Sequence, residues 1–250
     1  MHTYPRFLPV GDAAMTVEFG DTIDPDANAA VISLDARLAA SDVGGVIETV
    51  PSYRSLLGRY EPAVTGFSQM AAALRQLARP ASSATAAGRR WTVPVAYEAP
   101  FATDLADVAA HLGLSPEQVI AAHTGQDYKV YAIGFAPGMP FLGGLPEALH
   151  IPRRQSPRPG IPAGAAIIGG MQASIVPVPT LSGWHVLGQT PVRPFDRLRG
   201  DPFLFRAGDT VRFRQVSAGD YGWMAALPWD EFLPLLQAPP PEHPAAASGD

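Results

Sequence analysis

Residues 131–145 read Tyr-Ala-Ile-Gly-Phe-Ala-Pro-Gly-Met-Pro-Phe-Leu-Gly-Gly-Leu, too rich in Gly and Pro for a regular helix and too apolar for an ordinary surface loop. The same texture runs from residue 128 to residue 216, where residues 130–133, 166–168, 175–176, 186–187 and 211–216 are short apolar runs cut by Gly and Pro. Such runs, bounded by turn residues, read as buried strands. Many of them in succession predict a compact β-barrel with long loops rather than a sandwich of regular hairpins. Within residues 131–145, Phe135, Met139 and Phe141 either wall a pocket or dock a partner, or they pack over the barrel end. Glycines permit the close backbone approach that the first two need.

Working outward, Trp91, Val93 and Val95 open this region as a strand, and Leu105, Val108, Ala109 and Leu112 share one helix face. A second helix starts after Ser115, with Pro116 behind it and Gln118 completing a capping box. Further upstream, Met15, Val17 and Phe19 alternate with polar residues as a half-buried strand does. Asp24-Pro25 then caps a helix over residues 25–40, with Ala27, Val31, Leu34 and Leu38 at helical spacing. Residues 46–50 and 53–60 read as strands, and Phe67, Met70, Leu74 and Leu77 mark another helix. The order strand, helix, strand, strand, helix is most of a ferredoxin-like unit, its final strand supplied nearby. Residues 80–88 are nearly all small and mark a boundary. We therefore expect an α+β N-terminal domain over 1–80, a linker over 81–90, a β-barrel domain over 91–237 and a disordered tail over 238–250.

Composition excludes several kinds of chemistry. With 47% hydrophobic residues in 250, the chain can bury a core and is not a disordered sequence. No apolar run approaches the ~18 to 20 residues of a membrane span. Residues 1–10 lack the basic start and apolar stretch of a secretory signal. We expect a cytoplasmic protein with no membrane partner. The net charge is −5 and no basic stripe is present, so nucleic acid is not an expected partner. The absence of Cys excludes disulfides, a thiol nucleophile and thiolate metal sites. Lys129 is the only Lys and follows Asp-Tyr, not a phosphate-cradling Gly-rich loop.

Five places could carry chemistry, and each has a plain alternative. Arg153, Arg154 and Arg158 set three guanidiniums on a Pro-stiffened segment suited to a carboxylate or phosphate, or they are a solvated loop. Gln172 follows a buried strand, where its amide suits a lactam or urea-like group, or satisfies neighbouring backbone. Phe135 and Trp184 line a site or pack. His123 lies on the apolar face of its helix beside Val119 and Ile120, as a proton carrier or a half-buried packing residue. The other histidines show no metal-ligand spacing, and no complete catalytic set is evident.

Several motifs in order resemble the allophanate hydrolase subunit 1 family, which includes the B-type subunit of bacterial 5-oxoprolinase and KipI-type inhibitors of a sensor histidine kinase. They are His-Thr-Gly-Gln-Asp-Tyr-Lys-Val-Tyr at 123–131, Gly-Phe-Ala-Pro-Gly from Gly134, Phe-Leu-Gly-Gly-Leu from Phe141, Pro-Arg-Arg from Pro152, Ile-Pro-Ala-Gly from Ile161 and Gly-Trp at Gly183. Val-Pro-Ser-Tyr-Arg-Ser-Leu-Leu from Val50 matches as well. The resemblance implies an α+β N-terminal domain followed by a cyclophilin-like β-barrel C-terminal domain. It also implies two partners: a subunit-2-like cyclophilin-like chain and a LamB/YcsF-type subunit. The implied activity is the ATP-dependent opening of 5-oxoproline to glutamate by the assembled complex, with ATP not necessarily on this chain. In that frame Gln172 recognises the amide, an arginine among Arg153, Arg154 and Arg158 holds an anion, Phe135 and Trp184 bind substrate, and His123 is the candidate for proton transfer. A KipI-type inhibitor, or a subunit of urea carboxylase or allophanate hydrolase, is the alternative. This chain has Ala173 and Gln189 where the family usually carries Thr and Arg.

Overall fold

Asp24 starts the first helix, α1 (Pro25–Ala39), by accepting the Ala27 N–H at 2.9 Å, and Pro25 occupies the first turn, where no N–H is needed. A computed structural model of the chain describes residues 3–78 and 88–237. Val31, Leu34 and Leu38 of α1 and Met70, Ala71 and Leu74 of α2 (Phe67–Leu77) pack on one face of a four-stranded antiparallel sheet. Its strands are β1 (Arg6–Pro9), β2 (Ala14–Glu18), β3 (Val46–Pro51) and β4 (Ser55–Tyr60), in the order β1-β2-β4-β3. The strand missing from the ferredoxin-like pattern is β1, which comes from the N-terminal side and pairs along β2. Residues 53–54 were expected in a strand but form the turn between β3 and β4, so Tyr53 sits at a corner of the sheet.

The second part closes into a seven-stranded barrel from β5 (Arg90–Ala96), β6 (Asp127–Ile133), β7 (Pro140–Gly143), β9 (Ala165–Gly169), β10 (Gln172–Ile175), β12 (His185–Gln189) and β13 (Thr210–Val216). The order is β10-β7-β6-β13-β5-β12-β9, and the β9–β10 hairpin completes the ring. Gly170, at φ +64, makes the two-residue turn of that hairpin. Gln172 therefore opens β10 rather than ending the preceding strand. The short strands β8 (Arg158–Ile161) and β11 (Thr180–Ser182) pair with each other outside the barrel, as a two-stranded arm.

Every barrel strand contributes to one large buried cluster, including Val93, Val130, Leu142, Ile168, Ala173, Leu187 and Phe213, which is the barrel interior. Helices α3 (Leu105–Leu112) and α4 (Pro116–Thr124) add Val108 and Val119, and α6 (Trp229–Gln237) adds Phe232 and Leu236. The Ser115–Gln118 capping box forms as expected, while α5 (Ala218–Ala226) and α6 were not anticipated. Strand residues of opposite parity point outward. Phe141, Ile167 and Val186 form a smaller cluster on the outer face with Met139, Ile161 and Trp184, beneath the arm. Among the described residues no helix is long and apolar enough to cross a membrane. The barrel begins at Arg90; most of the expected linker (81–87) and the expected tail (238–250) lie outside the described residues.

Candidate functional site: a cleft on the outer face of the barrel

The arm, the 135–139 loop and the barrel's outer face enclose an open cleft of about 340 Å³. Its floor is Trp184, which lies flat on Gly169: a Cβ there would come within 2.8 Å of the indole Cγ, so only glycine allows this packing. Phe141 meets Trp184 edge to face at 6.1 Å, and Met139 and Leu181 extend the apolar wall. Phe135 stands at the rim, 77% exposed and with φ 65, in a loop closed on itself by Gly134 N–H donating to the Met139 carbonyl at 3.1 Å. The guanidinium of Arg153 sits 5.3 Å above the Trp184 ring, and no carboxylate among the described residues pairs with it. Arg154 also lines the cleft.

The small sheet reaches this site through Tyr53, which sequence reasoning did not single out. Its ring meets Phe141 at 5.8 Å and Tyr131 at 6.4 Å, both edge to face. The hydroxyl donates to Gln172 Oε1 at 3.4 Å, a long bond. Burial raises the Tyr53 pKa, and the Gln172 hydrogen bond and the Arg153 charge oppose the rise. Asn28, only 2% exposed on α1, holds the turn in place by donating to the carbonyls of Ser52 (3.0 Å), Tyr53 (3.2 Å) and Tyr131 (3.2 Å). Gln172 is 7% exposed, and its Nε2 is buried without a partner. An unpaired buried amide costs free energy that a ligand carbonyl would recover.

Three expected residues are placed differently. Arg158 is spent on a bidentate pair with Asp104, at 2.8 and 2.7 Å, and does not line the cleft. Gln172 is not on the cleft lining; it opens β10 and is met from the sheet by Tyr53. His123 is not brought to the cleft at all: it is 0% exposed, stacked on Phe213 at 4.3 Å, with Nδ1 at 2.6 Å from the Tyr97 hydroxyl. Desolvation drives its pKa down to about 3, so the ring is neutral at ordinary pH, and Nε2 faces no partner. Among the described residues no group of three His, Asp or Glu side chains is placed to hold a metal.

The model of the carboxyltransferase domain, subdomains C and D, matches residues 5–205, which include the sheet, the arm and the whole cleft. The B-type 5-oxoprolinase subunit of Bacillus subtilis (strain 168) is 38% identical over 223 residues, 85% of this chain and 93% of that protein. The chain belongs to the family of B-type 5-oxoprolinase subunits. Among solved structures, TTHA0988 superimposes with a TM-score of 0.74 at 35% identity over 83% of this chain; the match spans 40% of that longer chain. The Kluyveromyces lactis urea amidolyase shares the fold, with a TM-score of 0.70 at 16% identity over 88% of this chain and 15% of that one. The family's expected architecture, an α+β unit followed by a cyclophilin-like barrel, is the one found.

Proposed function

We propose that this chain is the B-type component of a heteromeric, cytoplasmic 5-oxoprolinase that opens 5-oxoproline to glutamate at the expense of ATP. Its partners in this reading are a subunit-2-like cyclophilin-like chain and a LamB/YcsF-type subunit. The observation that carries it is the extent of the likeness: 38% identity over 93% of a B-type 5-oxoprolinase subunit. The cleft is consistent with one half of a shared site. It offers the positive charge of Arg153 for a carboxylate or a phosphate, an aromatic floor at Trp184 and Phe141, and an exposed rim at Phe135 for a partner to cover. Gln172 lies off the cleft lining, so its amide is not assigned to the lactam in this reading. His123 takes no part, since its ring is sealed in the barrel and uncharged.

The test is ATP hydrolysis that depends on 5-oxoproline, measured with the chain alone, with each partner, and with all three. The reading expects no turnover from the isolated chain and robust turnover from the three-chain complex. Equal turnover with this chain omitted would contradict it. Inhibition of a histidine kinase without turnover in any combination would favour the KipI-type alternative.

A further inference from the structure

Asp104 has an unusual use for its position. It is the N-cap of α3, where an Asp carboxylate ordinarily accepts a helix N–H, yet it makes no such bond. The carboxylate, 2% exposed, turns instead toward the arm. It receives both arms of the Arg158 fork at 2.8 and 2.7 Å, the Val186 N–H at 2.7 Å, and Arg154 at 3.6 Å, while the Asp104 N–H donates back to the Val186 carbonyl at 2.9 Å. Burial pushes this carboxyl pKa up, but the bonds from Arg158 and Val186 and the charges of Arg158 and Arg154 outweigh it and hold the group ionised. A buried carboxylate so fully partnered fixes its surroundings, because any partner that leaves strands a charge.

What it fixes is the cleft wall. Arg158 belongs to β8 and Val186 to β12, so the carboxylate ties the arm to the barrel. Between them, the Arg154 N–H donates to the Gly183 carbonyl at 2.7 Å and His185 Nε2 lies 2.9 Å from the Pro152 carbonyl, laying residues 152–158 along residues 182–185. We propose that Asp104 is a positioning residue that divides the three arginines between two tasks. Arg158, with help from Arg154, anchors the arm, and Arg153 is left over Trp184 to meet the carboxylate or phosphate of a ligand. This rests on the proposed function for its ligand but not for its mechanics.

The variants Asp104→Asn, Arg158→Gln and Arg153→Ala separate the tasks. Amide hydrogen exchange of the full chain is read over residues 152–161 and 180–186, and KM and kcat for 5-oxoproline are read in the three-chain complex. Asp104→Asn and Arg158→Gln should each speed exchange in those two segments at least about tenfold, leave the other barrel strands unchanged, and raise KM about tenfold with kcat within about twofold. Arg153→Ala should raise KM similarly with exchange unaltered. Unchanged exchange in the arm of Asp104→Asn overturns the proposal, as does equal acceleration throughout the barrel, which would mark a merely structural residue. If Asp104→Asn does not fold, Arg158→Gln decides by the same exchange criterion, since that side chain is 30% exposed and replaceable. If no complex turns over 5-oxoproline, the proposed function fails while the exchange pattern still decides the role of Asp104.

Discussion

His123 and Arg153 each set a basic group against an aromatic ring, on opposite sides of the barrel wall. Inside, His123 stacks on Phe213 at 4.3 Å, with Tyr97 and Tyr128 around it and no path to solvent. Outside, Arg153 stands over Trp184 at 5.3 Å at the exposed lip of a cleft. Desolvation strips the interior group of its charge, whereas the Arg153 guanidinium stands open to water. The same pairing is thus sealed packing in one place and an accessible charge over an aromatic ring in the other. The parity of a strand decides which: adjacent β7 residues Phe141 and Leu142 face the cleft and the interior respectively.

The contrast can be broken most severely from inside. His123→Ala should lower the unfolding free energy by about 3 to 4 kcal/mol, in the range for deleting a buried ring, as read by urea denaturation. The KM of folded complex should not move; a raised KM at unchanged stability would bring His123 back into the site.

Acid sharpens the same contrast. The unfolded chain takes up a proton at His123 near 6.5 but the folded chain only near 3, so protonation favours unfolding between those values. Stability from this group is complete above pH 6.5 and falls as pH drops toward 3, by about 1.4 kcal/mol per unit from this one site. His123→Leu should flatten that part of a stability profile against pH, and an unflattened slope would place its cause elsewhere.

On the outer face, Gly169→Ala forces a Cβ to within 2.8 Å of Trp184. Overpacking at an open edge should cost only about 1 to 2 kcal/mol, because the indole can tilt into the cleft. That tilt should appear as a change in tryptophan fluorescence larger than the stability loss alone explains. A variant with unaltered fluorescence would mean that Trp184 does not depend on this glycine.

The sequence revealed most where signals are local. Asp24-Pro25 located α1 to within a residue at its far end, and Ser115 with Gln118 located α4, because caps and first-turn prolines act over three or four residues. The Ser217–Asp220 box before α5 carries the same kind of signal but was missed, and α5 was not expected. Strand β1 escaped because Pro9 closes a four-residue run with no alternation, so its place in the sheet depends on β2. In the site, Arg153, Arg154, Phe135 and Trp184 were legible as residue types that suit an anion and an aromatic wall, and the cleft gathers them. Tyr53 and Asp104 were not, since their roles exist only through Gln172 and Arg158, 119 and 54 positions away. Arg158 was misjudged for the same reason: its fork was already taken by a carboxylate that nothing nearby in the chain announces.

Placing Arg153→Ala and His123→Leu side by side in the three-chain complex decides whether the outer face is the working side of the barrel. Arg153→Ala should change stability by no more than about 0.5 kcal/mol. It should nevertheless weaken kcat/KM for 5-oxoproline roughly tenfold to a hundredfold, as loss of a charge-assisted bond of about 1.5 to 3 kcal/mol requires. Lys at that position should restore only part, lacking the planar fork. His123→Leu should retain kcat/KM within about twofold per folded molecule. The reverse pattern, wild-type turnover without the Arg153 guanidinium and turnover abolished in a folded His123→Leu, would place the working side inside the barrel instead.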